Sequence, residues 1–201
     1  MWRGLALALS AVSLLCALAV GRGDAAVAPG VKTFVHAQLS GVSPASATAT
    51  RSTRVRTAMA ALESAVIARM NDVRRAHGLP ALRLNLRLHA AALYHSRDMG
   101  RRGYFEHDSI SGTPFWRRIE RFYSSRGYRS WTVGENLLWA TDRYGAAFAV
   151  REWMSSPPHR ANMLSRDWRE VGIGAAYFAN AGGEYRGRAV TIVTADFGAR
   201  R

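Results

Sequence analysis

Two histidines and one glutamate stand on three separate segments, each in a distinctive frame. They are His107 in Gly103-Tyr104-Phe105-Glu106-His107, Glu135 in Val133-Gly134-Glu135-Asn136, and His159 in Trp153-Met154-Ser155-Ser156-Pro157-Pro158-His159-Arg160-Ala161-Asn162. Imidazoles donate and accept hydrogen bonds, ligate divalent metals and titrate near neutral pH, and a carboxylate accepts, ligates and takes up protons. Brought together, the three would form a cluster able to hold zinc or another divalent metal, or a small polar or anionic group. They could equally do acid–base work with Glu135 as general base. The same types suit a purely structural network, in which Glu135 receives imidazole N–H bonds and pins its strand to a short helix carrying His159. Nothing in the sequence requires a cofactor.

Familiar catalytic signatures are missing: there is no Gly-x-Ser-x-Gly elbow, His-Glu-x-x-His, phosphate loop or dinucleotide fingerprint. Ser155 and Ser156 near His159 suggest a serine hydrolase, but prolines intervene and no oxyanion loop is visible. His77 reads as a helix C-terminal residue bonded to carbonyls, and His95 as a satisfied core group; His36 and His89 carry no functional signal. Asn136 reads as satisfying backbone groups after a glycine, and Asn162 as bonding backbone around a cleft that Ser156 also supports. Trp116, Trp131, Trp139, Trp153 and Trp168 read as core rather than as a ligand groove.

These residues must be positioned by one domain within 201 residues. Arg3, an apolar run from Leu5 to Val20, and the small residues Ala25, Ala26 and Ala28 predict a secretory signal peptide over 1–26. Its apolar stretch is at or just below membrane-spanning length and no basic stop-transfer cluster follows. The single cysteine, Cys16, lies inside it. The exported chain therefore has no disulfide, no thiolate zinc site and no cysteine nucleophile. The expected location is secreted or periplasmic, at the cell envelope.

The net charge is +14, and removing Arg3, Arg22 and Asp24 with residues 1–26 leaves +13, nearly all of it arginine because Lys32 is the only lysine. Such a surface attracts anionic envelope polymers or lipids, more weakly as salt rises. The arginines are scattered, and no nucleic-acid recognition motif accompanies them. Specific nucleic-acid binding is therefore not expected.

Residues 27–55, rich in Ala, Ser and Thr with two prolines, read as a flexible linker, and the folded domain is expected over 56–201. Met59, Leu62, Val66, Ile67, Met70 and Val73 recur at helical spacing until His77-Gly78-Leu79-Pro80. A second helix begins near Leu86 behind an Asn85 cap and ends at Gly103. Thr113-Pro114 predicts the N-cap and first residue of a third, running to about Ser125. A fourth runs from Thr141 or Asp142 to Ser155, stopped by Pro157 and Pro158, with one helical turn over His159 to Leu164. Val171 to Ala179 and Ala189 to Phe197 predict an antiparallel hairpin, and Trp131 to Leu138 one more short strand. The fold class is α+β.

The ordered series of fragments is more specific than any one of them. It runs from Asn71, Arg74 and His77-Gly78-Leu79-Pro80 through Leu88, Ala91-Ala92, His95-Ser96 and Asp98-Met99 to Phe105 and His107. Then come Gly112, Pro114-Phe115 and Arg117, Val133-Gly134-Glu135-Asn136, Trp153 to Leu164, and Val171-Gly172-Ile173-Gly174. In this order the chain resembles the CAP superfamily, or SCP domain, in its bacterial secreted branch, from about Ala61 to Phe197. The resemblance implies an α-β-α sandwich with three helices on one side of a small, mainly antiparallel sheet. It also implies a cleft bearing two histidines and two glutamates, which map to His107, Glu135 and His159. Ser156 stands where the second glutamate is expected, and Glu152 is on another helical face. The reading that follows is a non-catalytic envelope or extracellular binding domain. A metal-dependent hydrolase is the alternative.

Overall fold

Helix α1 spans Pro44–Ala76 and starts well ahead of the Arg56 boundary read from periodicity. Residues 45–54 are exposed, so no apolar stripe marks them; three alanines favour the helix there, against five serines and threonines that do not. The structure, a computed structural model, describes residues 44–141 and 144–201. The predicted signal peptide, most of the linker, His36 and Asp142 lie outside the described residues.

After α1 come β1 (Arg83–Leu84), α2 (Leu86–Arg102), α3 (Phe115–Glu120), β2 (Trp131–Thr141), α4 (Ala146–Ser155), α5 (Pro157–Leu164), β3 (Glu170–Ala181) and β4 (Arg188–Arg200). The strands form a sheet in the order β1-β3-β4-β2. The β3–β4 and β4–β2 pairs are antiparallel and β1 runs parallel to β3, the α+β arrangement expected. Among the described residues no helix is long and apolar enough to cross a membrane.

Strand alternation sorts the layers. On one face Val171, Ile173, Ala175, Val193, Ala195 and Phe197 pack with Met59, Leu62, Val66 and Met70 of α1, Val150 and Trp153 of α4, and Met163 of α5. The other face carries α2. There Gly172 and Gly174 let the α2 backbone lie against β3: a Cβ at Gly174 would sit 2.1 Å from the Leu93 backbone nitrogen, and one at Gly172 1.9 Å from that of His89. The Ser96 hydroxyl, donating to the Gly174 carbonyl at 2.8 Å, marks the contact.

Caps define the ends of these elements. Asn85 accepts from the Arg87 and Leu88 N–H groups, and Gly103 closes α2 in the left-handed region. Helix α3 is shorter than predicted and begins one residue later. Pro114 is its N-cap, the Phe115 N–H donates to Asp108 Oδ1 at 2.9 Å, and the Thr113 hydroxyl is paired with Ser111 instead. Helix α4 starts at Ala146. The Asn71 and Arg74 side chains explain their motif. Asn71 exchanges two hydrogen bonds with the Leu82 backbone, and buried Arg74 donates to the carbonyls of Pro80, Met163 and Ser165. The end of α1 is thereby tied to the end of α5.

Candidate functional site

His107 and Glu135 meet as the sequence suggests. The imidazole Nδ1 lies 2.8 Å from Glu135 Oε1 and donates to it. The histidine side chain is 50% exposed, whereas that of Glu135 is 1% exposed. His107 comes from the segment after α2, and its backbone is held on two sides. Buried His95 of α2 donates from Nε2 to the Glu106 carbonyl at 2.9 Å, and Arg118 of α3 donates from Nη1 to the His107 carbonyl at 2.8 Å. Burial first, then the Arg118 charge, lower the His95 pKa to about 3, so it stays neutral.

Two further residues complete the centre, and the sequence reading passed over both. Arg118 is 1% exposed and forms a salt bridge through Nη2 with Glu135 Oε2. Asp196 of β4 stands directly opposite Glu135 of β2 in the strand register, fully buried. Among the described residues no N–H or O–H of another group reaches the Asp196 oxygens; their neighbour is the Glu135 carboxylate, itself an acceptor. Two buried carboxyls facing one guanidinium cannot both be ionised. Burial and the adjacent Glu135 charge raise the Asp196 pKa well above the usual carboxylate range. Glu135 is also raised by burial, with Arg118 opposing. Asp196 is therefore the protonated partner, its O–H directed at the ionised Glu135. A lone aspartate inside the apolar run Val190–Phe197 was the available signal, since an isolated buried charge must be neutralised.

This arrangement fixes a pH dependence. The folded chain keeps a proton on Asp196 that the unfolded chain releases near pH 4, so stability falls as pH rises from there toward the folded pKa. Asp196 contributes at most about 1.4 kcal/mol per pH unit to that slope. Asp196→Asn keeps a donor toward Glu135 and removes the titration. Urea midpoints from pH 4.5 to 8 should fall less steeply for the variant than for wild type, so that it gains relative stability at high pH. Parallel profiles would contradict the protonated assignment.

His159 joins from the other side of β2. Glu135 faces α2, whereas its neighbour Asn136 faces α5, where its Nδ2 donates to the His159 carbonyl at 3.0 Å. Asn162 donates to Asn136 Oδ1 at 2.9 Å and to the Glu135 carbonyl at 3.0 Å. These two amides pin β2 to α5, the task the sequence reading gave to the Glu135 carboxylate. The His159 ring is close enough to His107 for their charges to repel. Burial first and then His107 lower its pKa, while burial and Arg118 lower that of His107. Both imidazoles are thus neutral at pH 7, and the donated Nδ1–H leaves the His107 Nε2 lone pair open.

The other candidates take simpler roles. Ser156 caps α5 through its backbone, accepting from the Arg160 N–H at 2.8 Å, and its side chain makes no capping bond. Ser155 donates its hydroxyl to the Glu152 carbonyl, and the Glu152 carboxylate pairs with Arg151 at 3.4 Å. His77 bonds the Val73 carbonyl at the end of α1. Trp153 and Trp168 are core residues, Trp139 packs against Phe105 and Tyr185, and Trp116 is exposed. Among the described residues no three His, Cys, Asp or Glu side chains are grouped to hold a metal ion. Both Glu135 oxygens are engaged by protein donors, leaving the His107 and His159 imidazoles as the donors open to a ligand.

Comparison with known proteins agrees with this geometry. The model of the CAP family, the cysteine-rich secretory protein family, matches residues 67–197. The YkwD protein of Bacillus subtilis (strain 168) is 32% identical over 133 residues, 65% of this chain and 49% of YkwD, so the chain spans about half the length of that curated relative. An extracellular protein containing an SCP domain from Bacillus anthracis superposes with a TM-score of 0.56 at 23% identity, covering 78% of this chain and 44% of that one. An outer surface protein of Borrelia burgdorferi gives 0.50 at 18% identity, covering 67% and 90%. With its motifs in order on a layered α+β fold and the family model spanning most of the folded residues, this chain belongs to the CAP family of SCP-domain proteins.

Proposed function

We propose that this protein is an extracellular or envelope-associated binding module whose ligand-contacting groups are the neutral imidazoles of His107 and His159. The observation that carries the reading is the His107 geometry: a half-exposed ring whose Nδ1 is held by a carboxylate already neutralised by Arg118. Nε2 is left as a fixed acceptor. The extracellular setting draws on the predicted signal peptide and on the two structural neighbours, one extracellular and one an outer surface protein. The ligand is a small polar molecule offering hydrogen-bond donors, or a loosely held divalent cation. Zinc would be held by His107 and His159, with Glu135 behind His107 in the carboxylate–imidazole arrangement that orients metal ligands. Bound there, it would supply positive charge for a ligand oxygen. Two imidazoles without a third donor fall short of the sets that hold structural zinc.

Calorimetric titration with Zn²⁺ alone at pH 7.5 tests the site. Weak saturable heat is expected for the wild type, lost in His107→Ala and in His159→Ala. No saturable heat in the wild type removes the metal form, and heat unchanged in both variants removes the imidazole site. The alternative hydrolase, with Glu135 as general base, is disfavoured by that residue's two occupied oxygens and its burial. Cell-wall digestion by the wild type but not by Glu135→Gln would favour it.

A further inference from the structure

The opposite edge of the sheet holds a second feature, separate from the histidines. Strand β1 pairs with β3 only at Glu170 and Val171. Beyond that pairing α1 and α2, on opposite faces, stand apart along the edge of β3 and leave a cleft of about 380 Å³. Two edge backbone groups at its inner end are met by side chains. The Ala175 N–H donates to Glu63 Oε1 at 2.8 Å, and His89 Nδ1 donates to the Ile173 carbonyl at 2.6 Å. The cleft therefore has a closed, satisfied end rather than a raw sheet edge.

Its walls differ in character. Met59 of α1, Leu93 of α2 and Phe178 of β3 supply apolar surface, and the rim carries Arg56 from α1 with Arg97 and Arg101, one turn apart, from α2. Among the described residues no carboxylate lies within ion-pair distance of these three arginines. Among the described lining residues the one acid, Glu63, is engaged by Ala175 and lies 3.8 Å from His89 Nδ1; Arg97 feels its charge from beyond ion-pair distance. The cleft is thus a cationic rim over an apolar floor.

We propose that this cleft binds an organic anion: a carboxylate or phosphate head group on a compact apolar body. Guanidinium groups recognise both head groups in a planar, two-point manner. The apolar floor gains from covering a hydrocarbon body, and the volume lies at the small end of the range for ligand pockets. An inorganic anion would use only the rim, and a neutral amphiphile only the floor.

The probe is the fluorescent apolar sulfonate 8-anilinonaphthalene-1-sulfonate, titrated into the full chain. Saturable binding at a single site is expected, displaced by decanoate or decyl phosphate. Whichever displaces it at lower concentration identifies the preferred head group. Decanol and inorganic phosphate should displace it poorly. Removing two charge-assisted contacts in Arg97→Gln/Arg101→Gln should weaken binding by about tenfold or more. Both arginines are exposed, so the fold should hold, which circular dichroism would verify. Ala60→Glu, an exposed lining position, tests the same electrostatics without removing an arginine. Arg166→Gln, at an exposed arginine that does not line the cleft, should leave binding unchanged. Displacement by decanol as effective as by decanoate, or unaltered affinity in both cleft variants, would overturn the proposal.

Discussion

Replacing Arg118 by methionine is expected to cost about 3–5 kcal/mol of stability, the range found when one partner of a buried ion pair is removed. The reason lies in the charge count: Arg118 is the cation in salt bridge with Glu135, which faces Asp196 across the β2–β4 ladder. Without it Glu135 must either remain an unpaired buried anion or take up a proton of its own. The variant should therefore gain stability on acidification relative to wild type, because protonating Glu135 relieves the burden. The His107 carbonyl also loses its Nη1 donor, so ligand binding at His107 should weaken along with the fold. Urea unfolding at pH 5 and 7.5 measures both effects. Adding Glu135→Gln to Arg118→Met should cost far less than Glu135→Gln does alone, as expected for directly coupled residues. A loss below about 1 kcal/mol for Arg118→Met, typical of an exposed pair, would refute the buried assignment.

Gly174→Ala should be comparably damaging through a different cause. The added methyl would lie 2.1 Å from the Leu93 nitrogen and 2.4 Å from the Ala92 carbonyl carbon, both rigid α2 backbone. Helix α2 would have to lift from the sheet, opening its contacts with β3 and β4. Overpacking by one methyl commonly costs about 1–3 kcal/mol, and a clash with backbone belongs at or beyond the upper end. Gly182→Ala is the control, since among the described residues nothing lies within 4 Å of its added Cβ; a change within about 0.5 kcal/mol is expected there. Thermal melts of the two variants compare them directly. Equal melting temperatures would show that α2 does not sit on β3 at the distance described.

Much of this arrangement was legible from the chain. The apolar periodicity of α1, the Asn85 cap, the prolines after α4 and the β-branched hairpin are local signals, each acting within a few residues. Apart from the start of α1, they placed those elements to within a few positions. The two-residue β1 was missed because so short a strand carries no alternation. The start of α1 was missed because exposed helical turns bury no stripe. Conversely, α3 was read too long, since the Arg117–Ser125 stretch has no feature that says where the Phe122 and Tyr123 amides turn back onto Ile119.

The site divides along the same line. His107, Glu135 and His159 stood out because each sits in a distinctive motif, and their order identified the family. Neither Arg118 nor Asp196 has such a frame. Arg118 is one arginine in an arginine-rich helix, and Asp196 gains a partner only when β2 and β4 align Glu135 opposite it.

The sequence by itself determined the family, the layered α+β architecture, a folded domain without cysteine, and which imidazoles and carboxylate to examine. Only the tertiary structure decided that Glu135 is held by Arg118 and faces a protonated Asp196, that amides rather than carboxylates pin β2 to α5, and that a cationic cleft flanks β3. The physical reason is range: helical period, caps and turns are encoded within a few residues. Charge neutralisation in a buried centre depends instead on which groups, far apart in the chain, the sheet register places side by side.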